Sequence, residues 1–430
     1  MIGVVLLGTS LVLFGCARVG GEDLVIASSW PESERAALEA GFRRRVATSP
    51  GAGHGPVRIG WVLLSPGDDL ARVARRRGSV DLVLGGPASS YRRLERAGRL
   101  IPAGREGQPA WLVSRRSPIG LAMGPRAARA GTPAAGSAPA PRPDALTFDD
   151  PRQDPVSLAW AKGQLGAGTW AEGYARLVRG AGSPRRIGRQ AGAALAAVER
   201  GEAALAPALP PRGADRRARL GFLPDDDAPE WVEGVALVRG GRHPGRAREF
   251  LGFLAGRGQA QPPPAGAPGA PEADALLAEL LGATLVDAQD ELWAARATLA
   301  ASGHPGRAER WMTEPPPWPP ASVATILQRR DDPLALLNTL AEEIAPEADV
   351  RGWLVRSWLR TARPIDGALL EELATAADGR LAREPRVRAW LRAEWTAWAR
   401  QRYRRVARLA GAAPTAATPG ATSPSPGTSS

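Results

Sequence analysis

The stretch VDLVLGGPASSYRRLERAGRLIP, Val80 to Pro102, carries the reading on which the fold turns. Val80 to Leu84 is a short apolar strand, and Gly85-Gly86-Pro87 ends it. Pro87 to Ala97 predicts a helix, with Gly98 as its C-terminal cap. The same strand–helix step occurs twice upstream. Leu24 to Ala27 is a strand, and Pro31 opens a helix at the position where its missing N–H costs nothing. In that helix Glu32 and Glu34 suit the N-terminus, Arg43 to Arg45 suit the C-terminus, and Ala36, Ala37, Ala40, Gly41 and Phe42 form the buried stripe. Val57 to Leu64 and Asp68 to Arg76 supply the second strand and helix. A βαβαβα run of this kind predicts a parallel sheet, in which ligands bind beyond the carboxyl ends of the strands. Ser28, Ser29, Ser65, Gly85 and Gly86 fall at those ends.

Further along the pattern loosens and then changes. Gly124 to Pro143 is an Ala/Pro/Gly-rich loop, and Ala145 to Phe148 reads as a strand. Helices are expected at Asp154 to Gly163, Thr169 to Arg179, Ala191 to Gly201 and Pro244 to Ala255, with a strand at Trp231 to Val238. Residues 257–271 include Pro262-Pro263-Pro264 and read as an interdomain linker. Beyond it the chain is all-helical over 272–410, with eight segments punctuated by Pro and Gly, and residues 411–430 read as a disordered tail.

At 430 residues the chain needs two or three cores. Its formal charge of +12 raises an anionic partner, but ten arginines face only two glutamates between Arg380 and Arg408, a local +8. That segment places Val387, Trp390, Leu391, Trp395 and Trp398 at helical spacing, so a packed amphipathic helix is favoured over nucleic-acid binding. Ile2 to Gly15 is an apolar run of signal-peptide length ending at Cys16, the only cysteine. Leu13-Phe14-Gly15-Cys16 resembles a lipobox, which implies lipidation of Cys16 and removal of the segment that precedes it; a plain strand or an uncleaved anchor are the alternatives.

Four segments taken in order resemble the extracellular solute-binding proteins of family 1, especially the ferric-iron-type periplasmic binding proteins that serve ABC transporters. They are LVIASSWPESE (Leu24 to Glu34), VDLVLGGPASSYRRLERAGRLIP, LTFDDPRQDP (Leu146 to Pro155) and VEGVALVRGGRHPGRAREFLGFL (Val232 to Leu254). The resemblance implies an α/β, two-lobed periplasmic-binding-protein-like (type II) module followed by an all-α C-terminal region. Lobe one would span 22–108 plus 231–256, and lobe two 109–230, joined by crossing strands. It implies ligand contacts from Ser28, Ser29, Trp30, Ser65, Gly85 and Gly86 on one lobe and from Arg152, Gln153 and Ser157 on the other. A guanidinium at a helix N-terminus would suit an anionic group. Arg152 has the alternative of a structural arginine, and Gly85-Gly86 that of a tight turn.

The family's ferric binders use paired tyrosines, whereas Tyr91, Tyr174 and Tyr403 are far apart, so no metal site is expected. His54, His243 and His304 are scattered, and no nucleophile–base set emerges, so neither an enzyme nor a cofactor is expected. The expected protein is a monomer held at the cell envelope by its lipid. It would capture a small, anionic solute and present it to an ABC importer permease or a sensor. A ligand-free envelope scaffold acting through its Arg/Trp-rich helical part is the alternative.

Overall fold

A computed structural model describes residues 24–411 apart from 49–56, 65–69, 76–79, 103–108, 126–145, 182–186, 213–215, 217–218, 264–270, 303–305, 330 and 361. Cys16, the signal segment, Ser65 and the tail beyond Gly411 lie outside the described residues.

The first lobe is built on one sheet. Strands β1 (Leu24–Ser28), β2 (Ile59–Leu63) and β3 (Leu82–Pro87) are parallel in the order β2-β1-β3, as the repeated strand–helix step predicts. Antiparallel β9 (Trp231–Val238) pairs next to β3, and it in turn pairs with β4 (Leu100–Ile101) and β5 (Leu112–Ser117). Side chains alternate across this sheet with the period of two that a pleated strand imposes. Leu24, Ile26, Leu82, Leu84, Val235 and Leu237 enter one core with Phe42, Phe250 and Phe253, from α1 (Glu32–Thr48) and α7 (Pro244–Gly256). Ala27, Val83, Ala236 and Val238 enter a second core on the other face, with Leu70 of α2 (Leu70–Arg75) and Tyr91 and Leu94 of α3 (Ala88–Arg96). Both faces are therefore covered by helices of the same lobe.

The chain leaves this lobe at the end of β5 and returns along β9. After Pro118-Ile119 it enters β6 (Gly120–Met123), the middle strand of a small antiparallel sheet with β7 (Leu205–Ala208) and β8 (Gly221–Pro224). Helices α4 (Pro155–Gly166), α5 (Trp170–Ala181) and α6 (Ala193–Glu199) complete the second lobe. The boundary differs from the expected residue 109: β5 is hydrogen-bonded to β9 in the first sheet, so the crossing falls after Ser117.

The C-terminal region is mainly helical as expected, with Arg380–Arg383 added to the eight expected segments and one short antiparallel pairing of Pro317–Trp318 with Arg363–Pro364. Its helices are α8 (Pro271–Leu281), α9 (Gln289–Ser302), α10 (Gly306–Thr313), α11 (Ala321–Leu327), α12 (Pro333–Ile344), α13 (Ala348–Trp358), α14 (Gly367–Thr375), α15 (Arg380–Arg383) and α16 (Pro385–Gly411). A π-helical turn, Gly282–Val286, joins α8 to α9. Residues 264–270 of the expected linker lie outside the described residues, and the helices beyond it pack on the second lobe. Leu276, Leu280, Trp358, Leu391 and Trp395 belong to one continuous core with Trp160, Leu165, Tyr174 and Leu177 of the second lobe. The chain before α8 is also tied down, since Gln261 and Val113 of β5 exchange N–H···O bonds of 3.0 and 2.7 Å.

Candidate functional site

At the carboxyl ends of β1 and β3 three of the expected pieces meet. Ser28 is buried at the end of β1, and its Oγ accepts the Trp30 N–H at 3.1 Å, which turns the chain toward α1. That turn leaves Ser29 exposed and folds the Trp30 indole inward. Gly85 stands directly against it: a Cβ there would lie 2.6 Å from Ser29 Oγ and 2.7 Å from Trp30 Cδ1. With φ of +87° at Gly85 and +78° at Gly86, the turn also needs a backbone that other residues rarely adopt. Beneath it the Tyr91 hydroxyl lies 2.7 Å from both the Gly85 and the Gly234 carbonyl oxygens and shares its one proton between them, which fastens the end of β3 to β9. Burial, reinforced by the nearby Glu233 charge, raises the Tyr91 hydroxyl well above its ordinary pKa, so it remains a donor.

Around this turn stand charged groups that the sequence reading missed. Glu233 of β9 is only 4% exposed. Its Oε2 accepts the Trp30 Nε1–H at 2.8 Å, and its Oε1 accepts from Arg212 at 2.7 Å and from Trp231 Nε1 at 3.4 Å. Arg115, opposite Glu233 in the β5–β9 register, lays its guanidinium over the Trp30 ring at 4.1 Å and pairs with Glu34 at 2.6 Å. Arg212 follows β7 in the second lobe, so this cluster joins the two lobes across the hinge strands. One signal could have revealed Glu233: it is the single charge in the otherwise apolar strand WVEGVALV. Nothing in the sequence around Arg212 marks it.

Arg152 does something other than the resemblance implies. Its three guanidinium nitrogens are all engaged, by Asp150 at 2.7 to 3.1 Å and by Asp287, just after the π-helical turn, at 2.8 and 2.9 Å. Burial alone would lower its pKa, but the hydrogen bonds and charges of Asp287 and Asp150 outweigh that and raise it. Burial would likewise raise the Asp287 carboxyl, yet Arg152 and Arg392 hold it below the usual range. Gly282 makes room for the guanidinium, since a Cβ there would lie 2.3 Å from Arg152 Nε. Arg152 therefore docks the C-terminal helices onto the second lobe, with every guanidinium nitrogen already bonded to a carboxylate. Ser157 is corrected for a similar reason. It is buried, its N–H is capped by Asp154 at 2.9 Å, and its Oγ accepts the Asp149 N–H at 3.1 Å. Gln153 is exposed beside this turn.

A surface cleft of about 490 Å³ opens elsewhere, between α5 and the end of α10, lined by Glu172, Arg176, Arg179, Arg310, Thr313 and Glu314. Much of that lining is internally paired, Arg179 with Glu309, Glu314 with Arg402, and Arg176 with the Gln164 and Ala167 carbonyls. Among the described residues there is no group of three or more His, Cys, Asp or Glu placed to hold a metal, and no helix is long and apolar enough to cross a membrane.

The sequence matches no family model and no curated protein. Among solved structures it is similar to the periplasmic binding protein AfuA from Actinobacillus pleuropneumoniae, with fructose-6-phosphate bound, at 12% identity over 56% of this chain and 81% of that chain (TM-score 0.43). The ferric binding protein from Campylobacter jejuni is 13% identical over 54% and 80% (TM-score 0.41). The substrate binding protein of an ABC transporter from Agrobacterium tumefaciens is 14% identical over 55% and 76% (TM-score 0.42). The strand order of the two sheets and the two crossings between them define the two lobes.

Proposed function

We propose that the chain is an extracytoplasmic solute-binding protein that holds a small molecule between its lobes and presents it to an ABC importer or a sensor. The carrying observation is the meeting of the Ser29–Trp30 loop and the Gly85-Gly86 turn at the strand ends, beside Arg115 and Arg212 at the hinge. Two lobes joined by hinge strands can close on a ligand that touches both, and the closed form then reports occupancy to a partner. On this reading the protein works as a monomer at the cell envelope, anchored through Cys16, with no chemistry performed on the solute.

A ligand that binds only the folded state raises the melting temperature in proportion to the logarithm of its concentration. The full chain is therefore screened by thermal melting against phosphonates, polyamines, sugars and metal ions. A saturable rise of several degrees for one class, lost in Ser29→Trp, is the expected result. A flat screen sinks this reading and favours the scaffold. One observation already supports that second reading: the lobe-two arginine expected to meet a solute is consumed in docking the C-terminal helices.

A further inference from the structure

We infer that Glu233 is an internal ligand: its carboxylate fills an anion-binding site formed by Trp30 of one lobe and Arg212 of the other, and so holds the lobes together without a solute.

The donors around Glu233 have the composition of an anion site. One guanidinium and two indole N–H groups converge on two oxygens, and each oxygen has at least one partner. Charge-assisted bonds of this kind are the strong ones, and an ionised carboxylate buried to this degree is tolerated only with such partners. The donors also come from three separated places: the loop after β1, the loop after β7, and β9 itself. A carboxylate needed only to stabilise β9 would not have to draw a donor from each lobe. The wall of the site is fixed independently, because Arg115 stacks on Trp30 while paired with Glu34. Arg212 is 19% exposed in its side chain, so the site is not sealed from solvent. A solute bearing a carboxylate would have to displace Glu233, whereas a variant lacking that side chain would offer the vacated place to a small monocarboxylate. The inference does not depend on the solute-binding reading, since a scaffold with no solute would be held in the same way.

The test removes the internal ligand and returns it in solution. Full-length Glu233→Ala is melted in sodium chloride and in sodium formate at equal ionic strength, each at about 100 mM, alongside wild type and Glu233→Ala/Arg212→Ala. The single variant should melt about 5 °C or more below wild type in chloride and regain about half of that loss in formate. Wild type and the double variant should show no formate-specific gain. The inference is overturned by an unchanged melting temperature in the single variant, by equal formate gains in the double variant, or by the same gain in wild type. If Glu233→Ala does not fold, Glu233→Gln keeps the volume and is read by hydrogen exchange. Faster exchange at the Ser29 and Trp30 amides together with the Leu209 and Arg212 amides supports the inference, and change confined to β9, or none, overturns it.

Discussion

The two lobes solve the same packing problem in different ways. The first places a six-stranded sheet between its own helices and closes both faces within itself. The second has only three strands of four residues each and closes just one small cluster by itself, of Ala194, Val198, Ala203, Ala206 and Leu220. It is finished by the C-terminal helices, whose leucines and tryptophans enter the same cluster as Trp160 and Tyr174. Polar groups repeat the division. Lys162 pairs with Asp274 at 2.5 Å, Arg152 with Asp287, and Trp293 Nε1 donates to the Ala181 carbonyl at 3.1 Å, all between lobe two and the helices. The described link from the helices to the first lobe is slighter: α8 packs on α3, and Glu272 pairs with a half-exposed Arg96. The helical region therefore belongs mechanically to lobe two, and a hinge motion would carry the two as one body.

Truncation would break this comparison most decisively. Ending the chain after residue 263 uncovers the lobe-two part of the shared core, where Trp160, Leu165, Tyr174 and Leu177 lie, and exposing four such buried side chains represents up to roughly 6–12 kcal/mol of transfer free energy. Such a loss exceeds the whole stability of many domains. Hydrogen exchange on the truncated chain should show residues 118–230 unprotected while the first lobe keeps slow amides. A truncated protein protected in both lobes would mean that the helices are an appendage after all.

The next effect is local to the join. Arg152→Ala removes the one cation shared by Asp150 and Asp287, and it leaves Asp150, whose side chain is 7% exposed, without its guanidinium. Breaking a buried pair by deleting one partner costs about 3–5 kcal/mol. The penalty should appear by urea unfolding in the transition that contains lobe two and the helices together. A solute-contact role would instead leave stability within about 0.5 kcal/mol of wild type, as surface changes do.

How much of this was legible follows from the same asymmetry. Local signals place the first lobe well. Apolar runs at Leu24, Val57 and Val80, with Gly85-Gly86 and Pro31 at their ends, predict strands and helices close to those found. The antiparallel return of β9 between β3 and β4 was not legible, because pairing of residues about 150 apart leaves no local trace. The C-terminal helices were equally clear, with Pro333–Ile344 matching at both ends. Their attachment was not, since a helix pattern shows which face is apolar and not what covers it. The arginines of α16 illustrate the point. Arg392, Arg400, Arg402 and Arg404 pair with Asp287, Glu291 and Glu314 of the same chain, partners that the helix pattern does not name. At the site, the turn glycines and Ser28–Trp30 were readable from position, whereas Arg212 and Glu233 meet only after the fold is made.

The smallest effect is a titration that should appear only in the lobe-two unit. Each lobe fastens backbone to a buried aspartate. Asp81 accepts the Val25 and His243 N–H groups in lobe one at 2.8 and 2.7 Å, and Asp149 accepts the Gly192 and Ala194 N–H groups in lobe two, both at 2.8 Å. Burial pushes the Asp149 carboxyl up to about 6, helped by the charges of Asp154 and Asp150 and opposed by those two N–H groups. The folded state thus binds a proton that the unfolded chain releases near pH 4, so the stabilisation is complete below that pH and is lost as pH rises through 6. Relative to Asp149→Asn, which cannot titrate, wild type should lose about 2 kcal/mol of unfolding free energy between pH 4.5 and 7. Urea midpoints at the two pH values measure the difference. A gap between wild type and variant that stays constant with pH would show that Asp149 is ionised throughout, and that burial in lobe two is looser than the shared core implies.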